Sequence, residues 1–388
     1  MQDDLTAARP PLPFSGVRVV ALEQAVAAPF CSRQLADLGA EVVKVERPGG
    51  DPARHYDGVL NGVSAYFAWL NRGKRSVVLN LKIERDRALC LRLLGRADVF
   101  IHNLAPGAVE RLGFGFDDLR LSCPSLIWCG ISGYGPDGPQ RLRKAYDLLI
   151  QAESGVVSVT GTGDAPAKVG ISIADLSAGL YAYSSILAAL IQRGRTGRGE
   201  RIDISMLECL AEWMMPPVHV WQGSGVIPPR MGVRHNMIVP YGAYACADGP
   251  VVFAVQTDRE WRRLCSDVLR APELATDERF ATNARRVMHR EALEMMIEDR
   301  LRLRSRHDAQ AALGAADIPT GEINDVPAVA AHPQLVARRR WATAQTEAGP
   351  VTALVPPHNL RQSPSLMGAV PGLGEHTDAV LAELAASS

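Results

Sequence analysis

Asp175 is the one ionisable residue in "VGISIADLSAG" (169–179), among Val, Ile, Ala, Leu and Gly. A carboxylate in that setting has two uses. It can cap a helix, since Asp accepts hydrogen bonds from the open N–H groups of a first turn, a contribution of about 1 kcal/mol. It can also be a nucleophile, because a helix N-terminus favours its charge while apolar neighbours strip its water. The two uses share one geometry, and Asp175 is therefore expected at a helix start. Metal chemistry finds no matching pattern. The seven cysteines (Cys31, Cys90, Cys123, Cys129, Cys209, Cys246 and Cys265) are odd in number with no CxxC, and the nine histidines include no HxxxH. That spacing fits reduced thiols in a cytoplasmic protein, and no metal site is expected.

The elements that must position Asp175 can be read from periodicity. "VRVVALE" (17–23) predicts a strand, "APFCSRQLADLGA" (28–40) a helix and "EVVKVE" (41–46) a second strand, which together make a βαβ unit. "SVVLNL" (76–81), "ERDRALCLRLLGRA" (84–97), "DVFIHN" (98–103) and "LIWCGIS" (126–132) continue the alternation. The expectation is a doubly wound, Rossmann-like α/β domain. Its first turn, "EQAVAAP", lacks the G-x-G-x-x-G that lets a pyrophosphate approach, so a dinucleotide site is not expected. After Asp175, Leu176, Leu180, Tyr183, Leu187 and Leu190 recur at helical spacing, with Gly194 as the expected C-cap. "ERIDISMLECLAEWMM" reads as strand then helix, and "PPVHVWQGSGVIPPR" as a linker. "YGAYACADGPVVFAVQ" reads as a hairpin turning near Asp248–Gly249, followed by Arg-rich helices. The chain thus divides into a large α/β domain (1–215), a linker (216–230), a smaller α+β domain (231–334) and a C-terminal segment (335–388).

Composition narrows the function. The 388 residues exceed what one core usually organises, and 47% hydrophobic with 22% charged is ordinary for a globular chain. The 42 basic and 42 acidic residues cancel, so no nucleic-acid partner is expected. No run of 18 apolar residues occurs, so no membrane partner is expected either. "MQDDLTAARPPLPFSG" reads as a disordered lead-in rather than a signal peptide.

"GVRVVALEQAVAAPFCSRQLADLGAEVVKVERPGGDPAR" resembles the opening of the family III CoA transferases (CaiB/BaiF type), the group of formyl-CoA transferase and α-methylacyl-CoA racemase. "LNRGKRSVVLNLK", "HNLAPGAVERLGF", "GYGPDGP", "AYDLLIQAESG", "ADLSAGLYA", "GRGERIDISMLE" and "PGLGEHTDAVL" follow in the family's order. The resemblance implies that Asp175 is the nucleophile, forming a mixed anhydride with a donor acyl group and then an aspartyl-CoA thioester. It also implies CoA contacts at Arg47, Lys74, Asn103, Leu104, Arg111 and Lys144. Gln24 would line the thioester site, Tyr146 would stand beside the aspartate and Met206 beside the CoA tail. The partners implied are an acyl-CoA, a small carboxylic acid and a second copy of the chain, in a homodimer of two interlocked rings closed by the linker and the returning C-terminal segment.

Two departures refine the expectation. Racemases of this family carry a His before the Asp, where this chain reads "KAYDLL". A second proton-transfer group is then missing, and CoA transfer is expected over racemisation. The four-glycine loop of formyl-CoA transferase is also absent, which sets oxalate aside as acceptor. "KAYDLLIQAESGVVSVTG" and "RHNMIVPYGAY" look most like the branch acting on itaconate, citramalate, mesaconate or malate, with succinyl-CoA as donor. "PPRMGVRHNM" places Arg230, Arg234 and His235 in a segment that lies over the active site in this family. These three are expected to read the acceptor's distal carboxylate. A 2-methylacyl-CoA racemase and a non-catalytic CoA-binding protein are the competing readings.

Overall fold

The apolar runs form strands because residues covered on both faces of a parallel sheet need no polar alternation. In the computed structural model, which describes residues 11–386, the first elements are β1 (Arg18–Leu22), α1 (Ala27–Asp37), β2 (Glu41–Glu46), β3 (Lys74–Val78), α2 (Glu84–Leu94), β4 (Val99–His102) and β5 (Ile127–Ser132). There follow α3 (Asp147–Glu153), α4 (Ile173–Thr196), β6 (Arg201–Ser205) and α5 (Met206–Trp213). The lead-in read from "MQDDLTAARP" lies outside the described residues. Six parallel strands pair in the order β3-β2-β1-β4-β5-β6. The order reverses between β1 and β4, which is the topological switch of a doubly wound sheet. One core layer packs α1 and α4 on the sheet through Ala28, Leu35, Ala178, Ala182 and Ile186. The opposite layer packs Leu22, Val45, Phe100 and Trp128 against α2.

Among the described residues α4 alone is long and apolar enough to cross a bilayer. Its buried face belongs to this core, and Gly179 explains how closely it packs. A Cβ on Gly179 would stand 2.7 Å from the Ala27 carbonyl oxygen of α1. Two features of α4 differ from expectation. The helix continues past Gly194 and ends at Gly197, which takes the left-handed C-cap conformation and donates its N–H to Arg193. At the other end Ser172, not Asp175, is the N-cap residue, and Asp175 lies inside the first turn.

The chain forms two units. One takes the chain up to Val156, Val169–Met215 and the chain from Gln334; the other takes Val157–Lys168 and Pro216–Pro333. The expected linker is mostly a helix, Met215–Ser224. Its two prolines fall in the first turn, where their missing N–H groups have no helical partner to lose. Residues 157–168 join the second unit because Gly232 N–H bonds Gly161 C=O at 2.7 Å and Arg230 donates to the carbonyls of Thr162 and Gly163. That unit holds the expected hairpin, β7 (Tyr241–Cys246) and β8 (Gly249–Ala254), around a core of Phe253, Trp261, Phe280 and Leu293. The C-terminal residues pack on the first unit: Thr377 Oγ1 accepts from Val78 N–H, and Arg75 binds Glu383 through two nitrogens.

Candidate active site

The carboxyl ends of β1 and β4 flank the switch point, and the next residues are Glu23–Gln24 and Asn103–Leu104. An open sheet places its ligand crevice there by topology alone. Gln24 N–H donates to Asn103 Oδ1 at 2.9 Å, and Asn103 Nδ2 donates back to Gln24 C=O at 2.8 Å. The Asn103 amide is thus committed to splinting the turn after β1. Ala25 follows at φ +60°, a left-handed conformation costing on the order of 1–3 kcal/mol for a residue with a Cβ.

Asp175 is placed by residues far away in sequence. Asp147 Oδ1, at the start of α3, accepts from Ala174 N–H at 2.8 Å and Asp175 N–H at 3.3 Å. Asp147 is therefore the side chain that caps α4. Gln151, wholly buried one turn further along α3, donates to Asp147 Oδ2 at 2.7 Å and accepts from Val169 N–H at 2.9 Å. Ile173 N–H is taken by Ile171 C=O. The first-turn N–H groups of α4 are thereby occupied, and none is left to hold an oxyanion. Burial first, and then the Asp147 charge, push the Asp175 carboxyl up from 3.8 to about 7. Desolvation outweighs the helix N-terminus, which favours the ionised form.

Asp175 opens into a cavity of about 550 Å³ lined also by Gln24, Asn103, Leu104, Lys144, Tyr146 and Met206. Tyr56, Tyr66, Ala25 and Arg143 also stand in its wall. A second cavity, of about 460 Å³, shares Gln24, Leu104 and Ala105 with the first and carries Arg47 and Lys82. One groove thus runs from two cations to a half-buried carboxylate, past an apolar waist. That arrangement suits a long ligand with phosphates at one end and an acyl centre at the other. Among the described residues no group of three or more His, Cys, Asp or Glu is placed to hold a metal.

The model of CoA-transferase family III matches residues 14–377. The chain belongs to that family. Acetyl-CoA:oxalate CoA-transferase from Acetobacter aceti is 38% identical, the match covering 86% of this chain and 87% of the relative. Succinate–glutarate CoA-transferase from Agrobacterium fabrum is 37% identical over 98% and 97%. A solved CaiB/BaiF family protein from Brucella suis matches with a TM-score of 0.84 at 37% identity, covering 97% of this chain and all of that one.

In this CoA-transferase, the family-implied positions do not all reach the groove. Gln24, Arg47, Asn103, Leu104, Lys144, Tyr146, Met206 and Asp175 line it. Lys74 does not. Its ammonium is fully buried, 2.7 Å from Glu23 and 3.0 Å from Asn71 Oδ1, in an ion-pair network that includes Lys44 and Asp51. Burial pulls it down to about 8 even so. Lys82, eight residues on and exposed, is the lysine that this part of the chain presents to the groove. Only its place after β3 could have marked it, because "LNLK" gives no chemical signal. Arg111 ends a short helix (Ala108–Arg111), exposed, and lines neither cavity.

The three residues expected to read a distal carboxylate are engaged inside the second unit. Arg230 donates to the carbonyls of Thr162, Gly163 and Ser158. Arg234 ion-pairs with Glu294 and Glu298. His235 stacks on Tyr241, and burial with Arg290 nearby holds it toward the neutral form. The two guanidinium groups thus have partners within the second unit, and none of the three residues lines the Asp175 cavity. Of the two cations lining the Asp175 cavity, Arg143 pairs with Glu153, while Lys144 has no ion-pair partner among the described residues.

Proposed function

We propose that this family III CoA-transferase moves CoA from an acyl-CoA, with succinyl-CoA as the donor of choice, to a small dicarboxylic acid through covalent intermediates on Asp175. The observation that carries the reading is the partly dry Asp175 carboxyl at one end of a groove whose other end holds Arg47 and Lys82. The carboxylate attacks the thioester carbonyl; a C–O bond forms, the C–S bond breaks and CoA leaves as thiolate. The thiolate attacks the aspartyl carbonyl of the anhydride and releases the donor acid. The acceptor carboxylate then attacks the aspartyl-CoA thioester, and the thiolate takes the new acyl group, regenerating Asp175. Each step exchanges one activated acyl bond for another, so no step is steeply uphill.

Several features support particular roles. Since Asp147 occupies the helix N–H groups, the Gln24 side-chain amide is the donor suited to the oxyanions. Arg47 and Lys82 suit the phosphates of CoA. Lys144 suits either a phosphate or the second carboxylate of the acceptor. The relatives named for oxalate and glutarate favour diacids as a class and return oxalate to the candidates beside itaconate, citramalate, mesaconate and malate. The acting form is read as a homodimer. A panel of acyl-CoA donors against acid acceptors, followed by mass spectrometry, tests the reaction. Asp175→Ala is expected to abolish transfer, and hydroxylamine to mark Asp175 only when acyl-CoA is present. A variant keeping more than about a twentieth of wild-type turnover overturns the covalent role.

A further inference from the structure

The turn after β1 is held in a conformation that its residues do not favour. Ala25 sits at φ +60°, where glycine is the unstrained choice. Its N–H donates to Asp51 Oδ1 at 3.0 Å, and the same oxygen accepts from Ala53 N–H at 2.9 Å. Asp51 is itself anchored. Lys44 Nζ donates to its other oxygen at 2.8 Å, and the Asp51 N–H donates to Glu46 at 2.9 Å. Lys44 also pairs with Glu23, the residue that leaves β1. Asp51 and Lys44 are both buried. Asn103 splints the other side of the turn through both hydrogen bonds to the Gln24 backbone. Against all this fixation, the Gln24 side-chain amide bonds nothing among the described residues and lines both halves of the groove. The backbone around Gln24 is over-determined, while its side chain is left open for a ligand.

We infer that Asp51 is a positioning residue for CoA transfer: by pinning the Ala25 N–H it holds the left-handed turn that sets Gln24 against the reacting acyl group. The inference rests on the aspartyl transfer proposed above. Without Asp51 the Ala25 N–H loses its partner, and the Asn103 splint alone is left to hold the turn against the strain at Ala25. The residue then relaxes to an ordinary φ, and the Gln24 peptide swings away. Glycine at position 25 removes the strain and with it most of the need for the clamp.

That logic gives a double-mutant cycle. Wild-type transfer is measured first. A wild type that moves no CoA between acids ends the functional proposal, whereas the outcomes below concern Asp51 alone. Asp51→Ala is expected to lower kcat about 30- to 100-fold while the acyl-CoA KM moves less than about 3-fold. Adding Ala25→Gly to Asp51→Ala is expected to recover about 5- to 10-fold of kcat without restoring the melting temperature. A residue serving stability alone gives no such recovery. If Asp51→Ala does not fold, Asp51→Asn carries the same cycle. It keeps an oxygen for the Ala25 N–H and loses the Lys44 ion pair, so kcat falls less than about 10-fold and glycine at 25 raises it. A double variant no faster than its Asp51 parent overturns the inference. So does a raised acyl-CoA KM with kcat held, which would make Asp51 a substrate contact.

Discussion

Asp175 carries opposing demands that its pH behaviour should expose. The folded carboxyl titrates near 7 against an ordinary 3.8, so between those values the folded state binds a proton that the unfolded state has lost. Stability contributed by this group falls as pH rises through that window, and the penalty is complete above about pH 7. Asp175→Asn should therefore raise the melting temperature at about pH 8 and leave it unchanged near pH 4, a comparison for calorimetry. The nucleophile needs the ionised form, so kcat/KM should fall on the acid side of about pH 7. Asp147→Asn keeps an oxygen for the Ala174 and Asp175 N–H groups but removes the like charge. Its acid limb should move down by about one pH unit, and an unmoved limb would leave burial as the sole cause. At this scale the lone carboxylate in "VGISIADLSAG" was legible because its neighbours are apolar. Its cap was not, since Asp147 lies 28 residues earlier and only the tertiary fold brings it there. Lys74 misled for the opposite reason: a buried lysine and an exposed one look alike in a sequence.

Elements were more legible than their ends. Strands of a parallel sheet are continuous apolar runs, and β2 matches "EVVKVE" even though Lys44 is buried in it, because Glu23 and Asp51 pair its charge. The cap of α4 was placed three residues late, since Asp and Ser cap helices about equally well and Ser172 makes no side-chain bond that would single it out. The α4–α1 contact decides where Asp175 stands, and Gly179 controls it. A Cβ there meets the Ala27 carbonyl oxygen at 2.7 Å and Phe30 Cδ1 at 3.0 Å, so the backbones must part. Gly179→Ala should cost about 1–3 kcal/mol in urea unfolding and lower kcat as Asp175 moves. Gly194→Ala is the matched control. Its Cβ meets nothing within 4 Å on the same helix, so the change should be neutral or stabilising by up to about 1 kcal/mol. Equal losses for the two variants would point to helix propensity and not to the contact.

At the scale of the whole molecule, the split between an α/β unit and a hairpin-bearing one was visible as a change of pattern, while the transfer of 157–168 to the second unit was not. That exchange depends on Arg230 finding the carbonyls of Thr162 and Gly163, a pairing between segments with no common sequence signal. The remaining expectation at this scale is the homodimer, and α4 gives it a physical argument. Ala174, Ala178, Ala182 and Ile186 are buried on one face, but Leu180 and Ile191 are 42% and 61% exposed on another. Leu180, Ser184, Leu187 and Ile191 recur at intervals of three and four, which makes one stripe along the helix. Trp213 of α5, in the same unit, is also exposed. Apolar surface on that scale is characteristic of a protein–protein contact, and the balanced charge of the chain gives no repulsion to oppose association. Light scattering on the purified chain should give twice the 41.9 kDa of one copy. Ile191→Glu would place a carboxylate against apolar surface in the dimer and in water in the monomer, so it should shift the equilibrium toward 41.9 kDa while the far-ultraviolet dichroism stays native. Leu303→Glu, at a side chain 85% exposed in the second unit and outside this stripe, should leave the mass unchanged. A wild type that stays monomeric at micromolar concentration, or an Ile191→Glu variant that remains fully dimeric, would remove α4 as the joining surface.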